Sequence, residues 1–447
     1  MPDHATSAHP NVQAQLDRLW ALSPGADVLG LERITRLLGR LGDPHLRLPP
    51  VFHVAGTNGK GSTCAFLRAM LEAAGYRVHV YTSPHLVRFN ERIRLAGTLI
   101  EDDALAALLS EVLDAGGDVG ASFFEVTTAA AFLAFSRVPA DACVIEVGLG
   151  GRLDATNVLP APVACGIAAL GIDHEAFLLA EEAGTPAAPL DRIGFEKAGI
   201  AKPGAPLVVQ RYPPSVRATI AQVAESRGAQ IMARDEAWTI GASGEGLRYA
   251  DAAGSLALPL PALPGAHQAA NAGLAVAMLR HQRSITVPPE AFAAGLPGAT
   301  WPARLQRLSA GPLTRTLPPG VAAWLDGGHN PSAGEAIARA LPGIAAGPLT
   351  VVLGMLANKD AAGFLAPFAS RIGRLIAIPV PDHEHHAPAA LAKTARSLGV
   401  AEAGTAAGVE AALAALVRTA QTSATVLVAG SLYLAGEVLR ANDEPPK

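Results

Sequence analysis

The chain has few cysteines, no excess of positive charge and no apolar run long enough to cross a membrane. Its three cysteines, Cys64, Cys143 and Cys165, lack the spacing of metal ligands, so we expect free thiols in a reducing compartment. A net charge of −4 offers no basic surface for nucleic acid. No apolar stretch reaches the roughly 20 residues of a membrane helix, and the first residues lack the features of a secretory signal. We therefore expect a cytoplasmic protein without a nucleic-acid or membrane partner.

The length and composition predict a globular protein of two domains. The chain has 447 residues, of which 50% are hydrophobic and only 17% are charged. A segment rich in proline and glycine, Leu296–Pro302, interrupts the pattern of elements. We place the domain boundary there, with one domain at residues 1–296 and a smaller one at 297–447.

Alternating strand-like and helix-like stretches predict an α/β fold with a mostly parallel sheet in the first domain. The predicted strands are Val51–Ala55, Arg77–Thr82, Ala142–Val147, Val163–Ala168 and Leu207–Gln210. The predicted helices are Ser62–Ala74, Asp102–Leu113, Val126–Phe135 and Gln268–Arg280. The glycine-rich stretch Ile231–Leu260 predicts a small antiparallel β element.

A second alternation predicts a smaller Rossmann-like domain at the C-terminal end. Its predicted strands are Ala322–Asp326, Leu349–Gly354, Arg374–Pro379 and Thr425–Ala429. Its predicted helices are Ser332–Leu341, Ala361–Ala369, Ala389–Leu398 and Val409–Thr419. About 150 residues is a typical size for such a domain.

The stretch Val51–Thr63, VFHVAGTNGKGST, joins a predicted buried strand to a glycine-rich loop and a helix. Gly56, Gly59 and Gly61 allow the backbone to turn tightly. A loop of bare amide N–H groups that leads into a helix N-terminus binds phosphate, because the unpaired donors and the helix dipole both favour an anion. The loop therefore predicts a nucleotide site, with a purely structural turn as the alternative.

The loop differs from the common nucleotide motif G-x-x-x-x-G-K-[ST]. Only Thr57 and Asn58 separate its first two glycines, and Gly61 stands between Lys60 and Ser62. In our interpretation Lys60 reaches the outer phosphates of ATP, and the hydroxyl of Ser62 or Thr63 contacts a magnesium ion or a nucleotide oxygen. The departure argues against ordinary GTPases and kinases.

Polar and charged residues follow several other predicted strands. They lie in the segments YTSPHL (Tyr81–Leu86), FNERI (Phe89–Ile93), CVIEVGLGGRLDATN (Cys143–Asn157), GIDHEAF (Gly171–Phe177) and FEKAGI (Phe195–Ile200). Each of these residues alone is consistent with a solvated or hydrogen-bonded surface group. In open α/β sheets, however, ligands bind at the carboxyl ends of the strands, where these groups and the phosphate loop fall together.

These motifs resemble folylpolyglutamate synthase/dihydrofolate synthase, a branch of the Mur ligase superfamily. The resemblance rests on VAGTNGKGST, YTSPHL, FNERI, EVGLGGRLDATN, DH, EKAGI, LPGAHQAAN, LDGGHNP, GMLANKD and GSLYLAGEV, in the family's order over roughly residues 28–438. It implies a Mur-ligase-like central P-loop ATPase domain followed by a C-terminal Rossmann-like ligase domain.

The resemblance implies an ATP-dependent amide ligase that requires Mg²⁺. Such an enzyme joins L-glutamate to dihydropteroate and extends reduced folates with further glutamates. The carboxylate of the acceptor attacks the γ-phosphate of ATP, and the glutamate amine then displaces phosphate from the acyl phosphate. This chemistry depends on positioning and charge neutralisation more than on a covalent nucleophile.

The resemblance also implies roles for particular residues. The catalytic set is Lys60, Glu146, His174 and Lys197. The ATP set is Gly56, Thr57, Asn58, Gly59, Lys60, Gly61, Ser62, Asn271, Arg304, Asp326 and His329. The magnesium ligands are Ser83, Glu146 and His174. Lys197 is the lysine that carries a carbamate, or else it forms a structural salt bridge. The acceptor set is Leu29, Gly30, Leu31, Phe123, Phe124, Glu125, Leu153, Asp154 and Ala155.

The sequence departs from the family pattern in places that affect these roles. Ala303 replaces the usual glycine of WPARLQR, and Leu178–Pro189 lengthens the connection between His174 and Lys197. The segment before the DH pair reads AALGIDH instead of carrying the usual serine. The histidine cluster PDHEHHAP at Pro381–Pro388 matches no family role, and we interpret it as a solvated loop rather than a metal site.

Other functions remain open from the sequence. A monofunctional dihydrofolate or folylpolyglutamate synthase would use the same machinery. A cell-wall Mur ligase normally has a further N-terminal domain for its UDP-sugar, whereas about fifty residues precede the phosphate loop here. A non-catalytic nucleotide-binding protein would not need the combination of Lys60, Ser83, Glu146, His174 and Lys197. The family's synthetases often act as monomers, which is the oligomeric state that we expect.

Overall fold

The computed structural model describes residues 5–22, 29–180, 182–417 and 425–447. The chain forms two compact units. Unit 1 comprises Met1–Ala262 and Ala269–Thr300, and unit 2 comprises Leu263–Gln268 and Trp301–Lys447.

Unit 1 alternates strands and helices along most of its length. Its strands are β1 Val51–Ala55, β2 Val78–Tyr81, β3 Ile93–Leu95, β4 Thr98–Leu99, β5 Ala142–Glu146, β6 Ala164–Ile167, β7 Pro206–Val209, β8 Gln230–Ala233, β9 Trp238–Ser243, β10 Gly246–Asp251 and β11 Gly254–Pro259. Its helices are α1 Pro10–Leu22, α2 Glu32–Arg40, α3 Lys60–Ala73, α4 Asp102–Gly116, α5 Phe123–Arg137, α6 Glu175–Leu178, α7 Pro189–Ala198, α8 Pro214–Ser226, α9 Ala266–His281 and α10 Pro289–Gly298. Helix α9 begins in the segment Leu263–Gln268, which belongs to unit 2.

The main sheet of unit 1 has the order β4-β3-β2-β5-β1-β6-β7-β8. Strand β1 is central and pairs in parallel with β5 and β6, so all five of its residues are buried. This explains its continuous apolar character, since a parallel strand covered on both faces has no solvent side. The predicted mostly parallel α/β fold is confirmed. Only β3 and β4, at one edge, pair antiparallel.

Buried side chains form separate hydrophobic clusters around this sheet. One cluster joins residues of α1, α2, α4 and α5, including Leu37, Leu109 and Phe132. Another joins α7 and α8 to the ends of β1, β6 and β7, with Ile193 and Ile220 as examples. Helices α1 and α2 pack through the first cluster, and neither helix was predicted from the sequence.

The predicted antiparallel element at Ile231–Leu260 is partly wrong. Strands β9, β10 and β11 do form an antiparallel meander, as expected for residues 238–259. Residues 230–233, by contrast, form β8, which pairs in parallel with β7 at the edge of the main sheet. Strand β8 is only four residues long, and the composition of so short a strand does not show which sheet it joins.

Unit 2 is a smaller α/β structure with its own core. Its strands are β12 Gln306–Arg307, β13 Ala322–Asp326, β14 Leu349–Leu353, β15 Ile372–Ala377, β16 Glu402–Thr405 and β17 Thr425–Ala429. Its helices are α11 Pro331–Ile344, α12 Ala361–Leu365, α13 Pro388–Ser397, α14 Val409–Val417 and α15 Leu432–Ala441. The sheet order is β12-β13-β17-β14-β15-β16, and only β12 pairs antiparallel.

The elements of unit 2 differ from the prediction in several places. The predicted helix Ala361–Ala369 ends as an α-helix at Leu365 and continues as a 3₁₀ helix over Ala366–Arg371. Pro367 lies there, and proline cannot donate the backbone hydrogen bond of an α-helix. The last two residues of the predicted helix Val409–Thr419 lie outside the described residues. Strands β12 and β16 and helix α15 were not predicted.

None of the helices in the described residues combines the length and the apolar character that spanning a membrane requires.

Candidate active site

The phosphate loop lies at the carboxyl end of β1, in the middle of the main sheet. Gly56 and Gly59 have φ angles of +154° and +85°, so the turn uses conformations that L-residues rarely adopt. A Cβ atom on Gly56 would lie 2.9 Å from the Cβ of Ala168. Helix α3 then begins at Lys60. The first amides of an α-helix have no partner within the helix, so Lys60, Gly61 and Ser62 present donors at this turn.

The loop offers fewer bare amides than we predicted. The N–H groups of Thr57 and Asn58 both donate to the carbonyl of Ala169, at 2.8 and 3.2 Å. The Thr57 hydroxyl donates to the carbonyl of Gly171 at 2.9 Å. These bonds fasten the loop to the chain that follows β6. The anion-binding capacity therefore rests on the amides at the start of α3.

Lys60 and Asn271 border the loop. The Lys60 ammonium donates to the carbonyl of Gly56 at 3.1 Å, so the side chain folds back over the turn. Asn271, on α9, is buried, and a Cβ atom on Gly59 would lie 2.5 Å from its Oδ1. The amide of Asn271 is thus held against the loop. Sequence separation alone does not predict this contact.

Ser83 and Glu146 meet at the ends of β2 and β5. Glu146 is 4% exposed, and its Oε2 accepts a hydrogen bond of 3.4 Å from the Ser83 N–H. Carboxylate and hydroxyl groups are oxygen donors, the type of ligand that Mg²⁺ prefers. The donor chemistry of this pair therefore fits the predicted metal.

His174 lies on the chain between β6 and α6. Its side chain is exposed, and its backbone is left-handed with φ of +53°. The Asp173 carboxylate accepts a hydrogen bond from the His174 N–H at 2.8 Å. Among the residues that the structure describes, no three His, Cys, Asp or Glu side chains cluster as metal ligands. The set Ser83, Glu146 and His174, which includes a serine, stays a prediction.

Lys197 lies near the end of α7 and is 4% exposed. Burial and, to a smaller extent, the positive charge of Lys60 lower the pKa of its ammonium to about 7. The carboxylate of Asp173 acts in the opposite direction. A lysine in this state is partly a neutral amine at physiological pH, which is the form that reacts with carbon dioxide.

The predicted acceptor residues divide by burial. Those that are half-buried are Leu29, Gly30, Leu31, Phe124 and Leu153. Those that are buried are Phe123, Glu125, Asp154 and Ala155. Phe123 stacks on Trp20 with ring centroids 5.0 Å apart, as a core residue does. Phe124 packs on Gly148, where an added Cβ would lie 2.4 Å from its ring. Phe124 therefore offers the accessible aromatic face.

The two carboxylates of the acceptor set hold backbone in place. Glu125 closes the capping box of α5 by accepting from the Ser122 N–H at 2.7 Å. Arg33 on α2 forms an ion pair with Glu125 at 3.0 Å. The Asp154 carboxylate accepts from the N–H groups of Leu149 and Thr156, at 2.8 and 2.9 Å, and burial raises its pKa. These side chains shape the acceptor loops from inside.

Arg33 was missed by the sequence analysis. It is 92 residues from Glu125 in sequence, and α2 itself was not predicted. A signal exists in the strong amphipathic pattern of Glu32–Arg40, whose buried residues are Ile34, Leu37 and Leu38. Even so, periodicity would predict the helix but not the partner of its arginine.

The predicted nucleotide residues of unit 2 lie together at the end of β13. Asp326 is buried, and its carboxylate accepts from the N–H groups of Leu305 and Gly328 at 2.8 and 2.7 Å. A Cβ atom on Gly327 would lie 3.0 Å from Nη1 of Arg304, and the His329 ring bonds the Gly327 carbonyl at 2.9 Å. Asp326 thus clamps the chain around Arg304 to the loop that carries His329.

The histidine cluster is held by backbone. His383 and His385 bond the carbonyls of Pro381 and His383 through Nδ1, at 2.8 and 2.7 Å. Nε2 of His386 bonds the Lys359 carbonyl at 2.8 Å. Each imidazole uses one ring nitrogen to fasten this loop, and our interpretation of a solvated loop stays a prediction.

A phosphate loop at the centre of a mostly parallel sheet, a buried amine beside it and a second α/β unit define an ATP-dependent ligase of the Mur type. Residues 313–432 match the family model described as "Mur ligase, glutamate ligase domain". The dihydrofolate synthase/folylpolyglutamate synthase of Escherichia coli K12 is 39% identical over 343 residues, which cover 76% of this chain and 74% of that protein. The chain belongs to the dihydrofolate synthase/folylpolyglutamate synthase family.

Solved structures agree in fold. The Escherichia coli FolC structure in complex with DHPP and ADP has a TM-score of 0.84 and 33% identity, and the match covers 98% of this chain and 99% of that one. The bifunctional enzyme of Yersinia pestis, complexed with AMPPNP and a Mn ion, has a TM-score of 0.83 and 33% identity, with the same coverage. The predicted fold class is thereby confirmed for nearly the whole chain.

Proposed function

We propose that this protein is a bifunctional ATP-dependent ligase that joins L-glutamate to dihydropteroate and extends reduced folates with further glutamates. The observation that carries the proposal is the phosphate loop at the end of β1, which leads into α3 at Lys60. The charge of Lys60 contributes to the lowered pKa of the buried Lys197. Family membership supports the choice of glutamate and a folate precursor as substrates. We assign ATP binding to residues 1–296 and the ligase role of the C-terminal domain to 297–447.

The residues of unit 1 have distinct tasks in this reaction. The amides of Lys60, Gly61 and Ser62 and the Lys60 ammonium bind the phosphates of ATP and stabilise charge on the transferred phosphoryl group. Asn271 holds the loop in position. The acceptor lies against Phe124 and Leu153, and its carboxylate becomes an acyl phosphate that the glutamate amine attacks. Thr57 and Asn58 act by fastening the loop rather than by donating to phosphate.

Ser83 and Glu146, together with His174, would hold Mg²⁺. When bound, the ion neutralises phosphate charge. Lys197 is carbamylated in this proposal, which turns a buried cation into an anionic oxygen ligand. The low pKa of its ammonium supports this, because carbamate formation consumes the neutral amine.

We also assign nucleotide contacts to Arg304, Asp326 and His329 of unit 2. Asp326 positions the other two through the backbone bonds described above. We also propose that the enzyme acts as a monomer in the cytoplasm. The buried free thiols of Cys64, Cys143 and Cys165 support a reducing compartment. Light scattering of the purified protein tests the oligomeric state.

The decisive experiment supplies the protein with ATP, Mg²⁺ and glutamate, and with either dihydropteroate or tetrahydrofolate. Mass spectrometry of the products should show glutamate added to both acceptors. Addition to one acceptor only would identify a monofunctional enzyme. No addition to either acceptor, with a folded protein that binds ATP, would contradict the proposed function.

A further inference from the structure

Two arginines and two glutamates form a linked group of ion pairs beside the acceptor residues. We call Arg152, Glu182, Arg192 and Glu196 the arginine–glutamate cluster. Arg152 contacts Glu182 and Glu196 at 2.5 and 2.9 Å, and Arg192 contacts the same two carboxylates at 2.9 and 3.3 Å. The cluster is neutral in total charge, with two cations and two anions.

The members of the cluster come from three parts of unit 1. Arg152 belongs to the loop that follows β5 and carries Leu153, while Arg192 and Glu196 lie on α7, next to Lys197. Glu182 lies on Leu178–Pro189, the lengthened connection between His174 and Lys197. Glu182 is therefore the member that ties this connection to the other two parts.

The acceptor loop and α7 do not need Glu182 to stay together. The Arg152 N–H donates to the Glu196 carbonyl at 2.7 Å, and a Cβ atom on Gly199 would lie 2.4 Å from the Cβ of Arg152. These backbone contacts lock α7 to the loop. Loss of Glu182 should thus release the connection without moving Lys197.

The cluster also forms one wall of a cavity of about 330 Å³. The remaining lining residues are Leu29, Leu153, Phe177 and Ala180. Leu29 and Leu153 belong to the predicted acceptor set. Phe177 and Ala180 flank Leu178 at the start of the lengthened connection, so this segment supplies part of the wall.

We propose that Glu182 is a positioning residue for the acceptor substrate. By binding both guanidinium groups it holds the lengthened connection against the cavity and so shapes the place where the acceptor lies. The inference rests on the proposed function, since it concerns the acceptor of that reaction.

The exposure of the side chains explains why one carboxylate has this effect. The side chain of Glu182 is 44% exposed, but those of Arg152 and Arg192 are only 19% and 6% exposed. An isolated surface ion pair contributes little, because water and salt screen it. Here a single carboxylate contacts two guanidinium groups that are largely removed from water, which strengthens both interactions.

The test compares Glu182→Gln with Glu225→Gln. Both substitutions remove one negative charge, and Glu225 is exposed on α8. For Glu182→Gln we expect the KM for dihydropteroate to rise about fivefold to tenfold, while kcat and the KM for ATP change less than about twofold. Amide hydrogen exchange in residues 182–189 should also become faster. The control variant should match the wild type in all of these measurements.

A second substitution checks the partner. Arg192→Gln should raise the same KM and speed the same exchange, and the double variant should be no worse than the more affected single variant. Independent, multiplicative effects would show that the two side chains do not act through each other, which would overturn the proposal.

Three further outcomes would also overturn it: an unchanged KM for the acceptor, an equal rise in the KM for ATP, or a KM that falls for acceptors with longer anionic tails. The last would show that Glu182 acts by repelling charge rather than by holding the segment. If the wild type makes no folate product, the proposed function fails instead. Hydrogen exchange then decides by itself whether Glu182 holds the connection.

Discussion

Two lysines of unit 1 illustrate how the fold changes the chemistry of one residue type. Lys60 is half-buried and donates to the Gly56 carbonyl, so its ammonium has an oxygen partner at the phosphate loop. Lys197 is 4% exposed, and burial lowers its pKa to about 7. Lys60 is placed to interact with phosphate, whereas the surroundings of Lys197 favour loss of its proton. Their opposite roles can be tested separately.

Lys60→Ala should reduce the rate of ligation by about a hundredfold or more, because a charged donor at the transferring phosphate is lost. Thermal stability should change little, since only the bond to Gly56 is removed, worth about 1 kcal/mol. Lys393→Ala, an exposed lysine on α13, is the matched control. Normal turnover by a folded Lys60→Ala protein would contradict the phosphate-loop assignment.

Lys197→Arg should be nearly inactive, because arginine keeps the charge but cannot be deprotonated or take up carbon dioxide. Lys197→Ala should also be inactive, with partial recovery on addition of acetate or formate. In the wild type, ¹³C-labelled bicarbonate should give a carbamate signal by NMR that grows as the pH rises through about 7. A fully active Lys197→Arg enzyme would show that no carbamate is needed.

Glu146→Ala should raise the Mg²⁺ concentration needed for half-maximal activity about tenfold or more, since the buried carboxylate is the strongest oxygen donor of the predicted set. His174→Ala should act in the same direction. Activity should fall more than the melting temperature does. A variant that melts early but keeps normal specific activity and normal Mg²⁺ dependence would identify a structural residue instead.

At the scale of elements, the turn between β1 and α3 depends on backbone conformations that only some residues tolerate. Gly59 combines a left-handed φ with a close approach to Asn271. The linker residues Ala303 and Leu305, with φ of +56° and +43°, adopt left-handed conformations without being glycine. At Ala303 the family's usual glycine would remove this strain, so the departure that we noted in the sequence has a structural cost.

Gly59→Ala should abolish most activity, because the new Cβ adds backbone strain and displaces Asn271 as well. Gly75→Ala is the matched control: Gly75 has φ of +87°, but an added Cβ meets nothing within 4 Å. Both variants should lose about 1 kcal/mol of stability from strain. Only Gly59→Ala should lose about a hundredfold in kcat/KM for ATP. Equal losses of activity would contradict a specific role for the loop geometry.

At the scale of the whole molecule, buried histidines couple stability to pH. His53 on β1 is fully buried, and desolvation, with a smaller effect of Lys202, lowers its pKa to about 3. Its Nε2 lies 2.8 Å from the Thr156 hydroxyl, which itself donates to Asp154, so Nε2 carries the proton. His53 is therefore neutral in the folded protein but takes up a proton in the unfolded chain below pH 6.5.

Stability should consequently fall as the pH drops below about 6.5, because the unfolded state then binds more protons. The slope for His53 approaches about 1.4 kcal/mol per pH unit. Urea unfolding between pH 7 and 5 measures it, and His53→Gln should have the shallower dependence. Burial raises the pKa of Glu91 and Asp154, so protonation of these two carboxyl groups stabilises the folded state at lower pH and opposes the effect of His53. The measurement therefore ends at pH 5. Equal slopes in both proteins would contradict the assignment.

Much of the fold follows from local pattern. The continuous apolar runs predicted β1 and β17 with their correct ends, because parallel strands buried on both faces need such runs. Strand β13, which is partly buried, was also predicted with its correct ends. The motifs also predicted the family and the residues at the carboxyl ends of the strands. Helices α1 and α2 were not predicted. The amphipathic pattern of α2 is a local signal for that helix, but the packing of both helices against α4 and α5 depends on tertiary contacts.

The sequence by itself determined which chemical groups are present and at which strand ends they fall, because turn glycines and strand composition act over a few neighbouring residues. Only the tertiary structure decided which of these groups remain available to bind a ligand or to change protonation state. The amides of Thr57 and Asn58 donate to the carbonyl of Ala169. The Asp154 carboxylate accepts from the backbone of its own loop, and Lys197 is buried away from water. Hydrogen bonds and desolvation of this kind arise from residues far apart in the chain, and no local pattern records them.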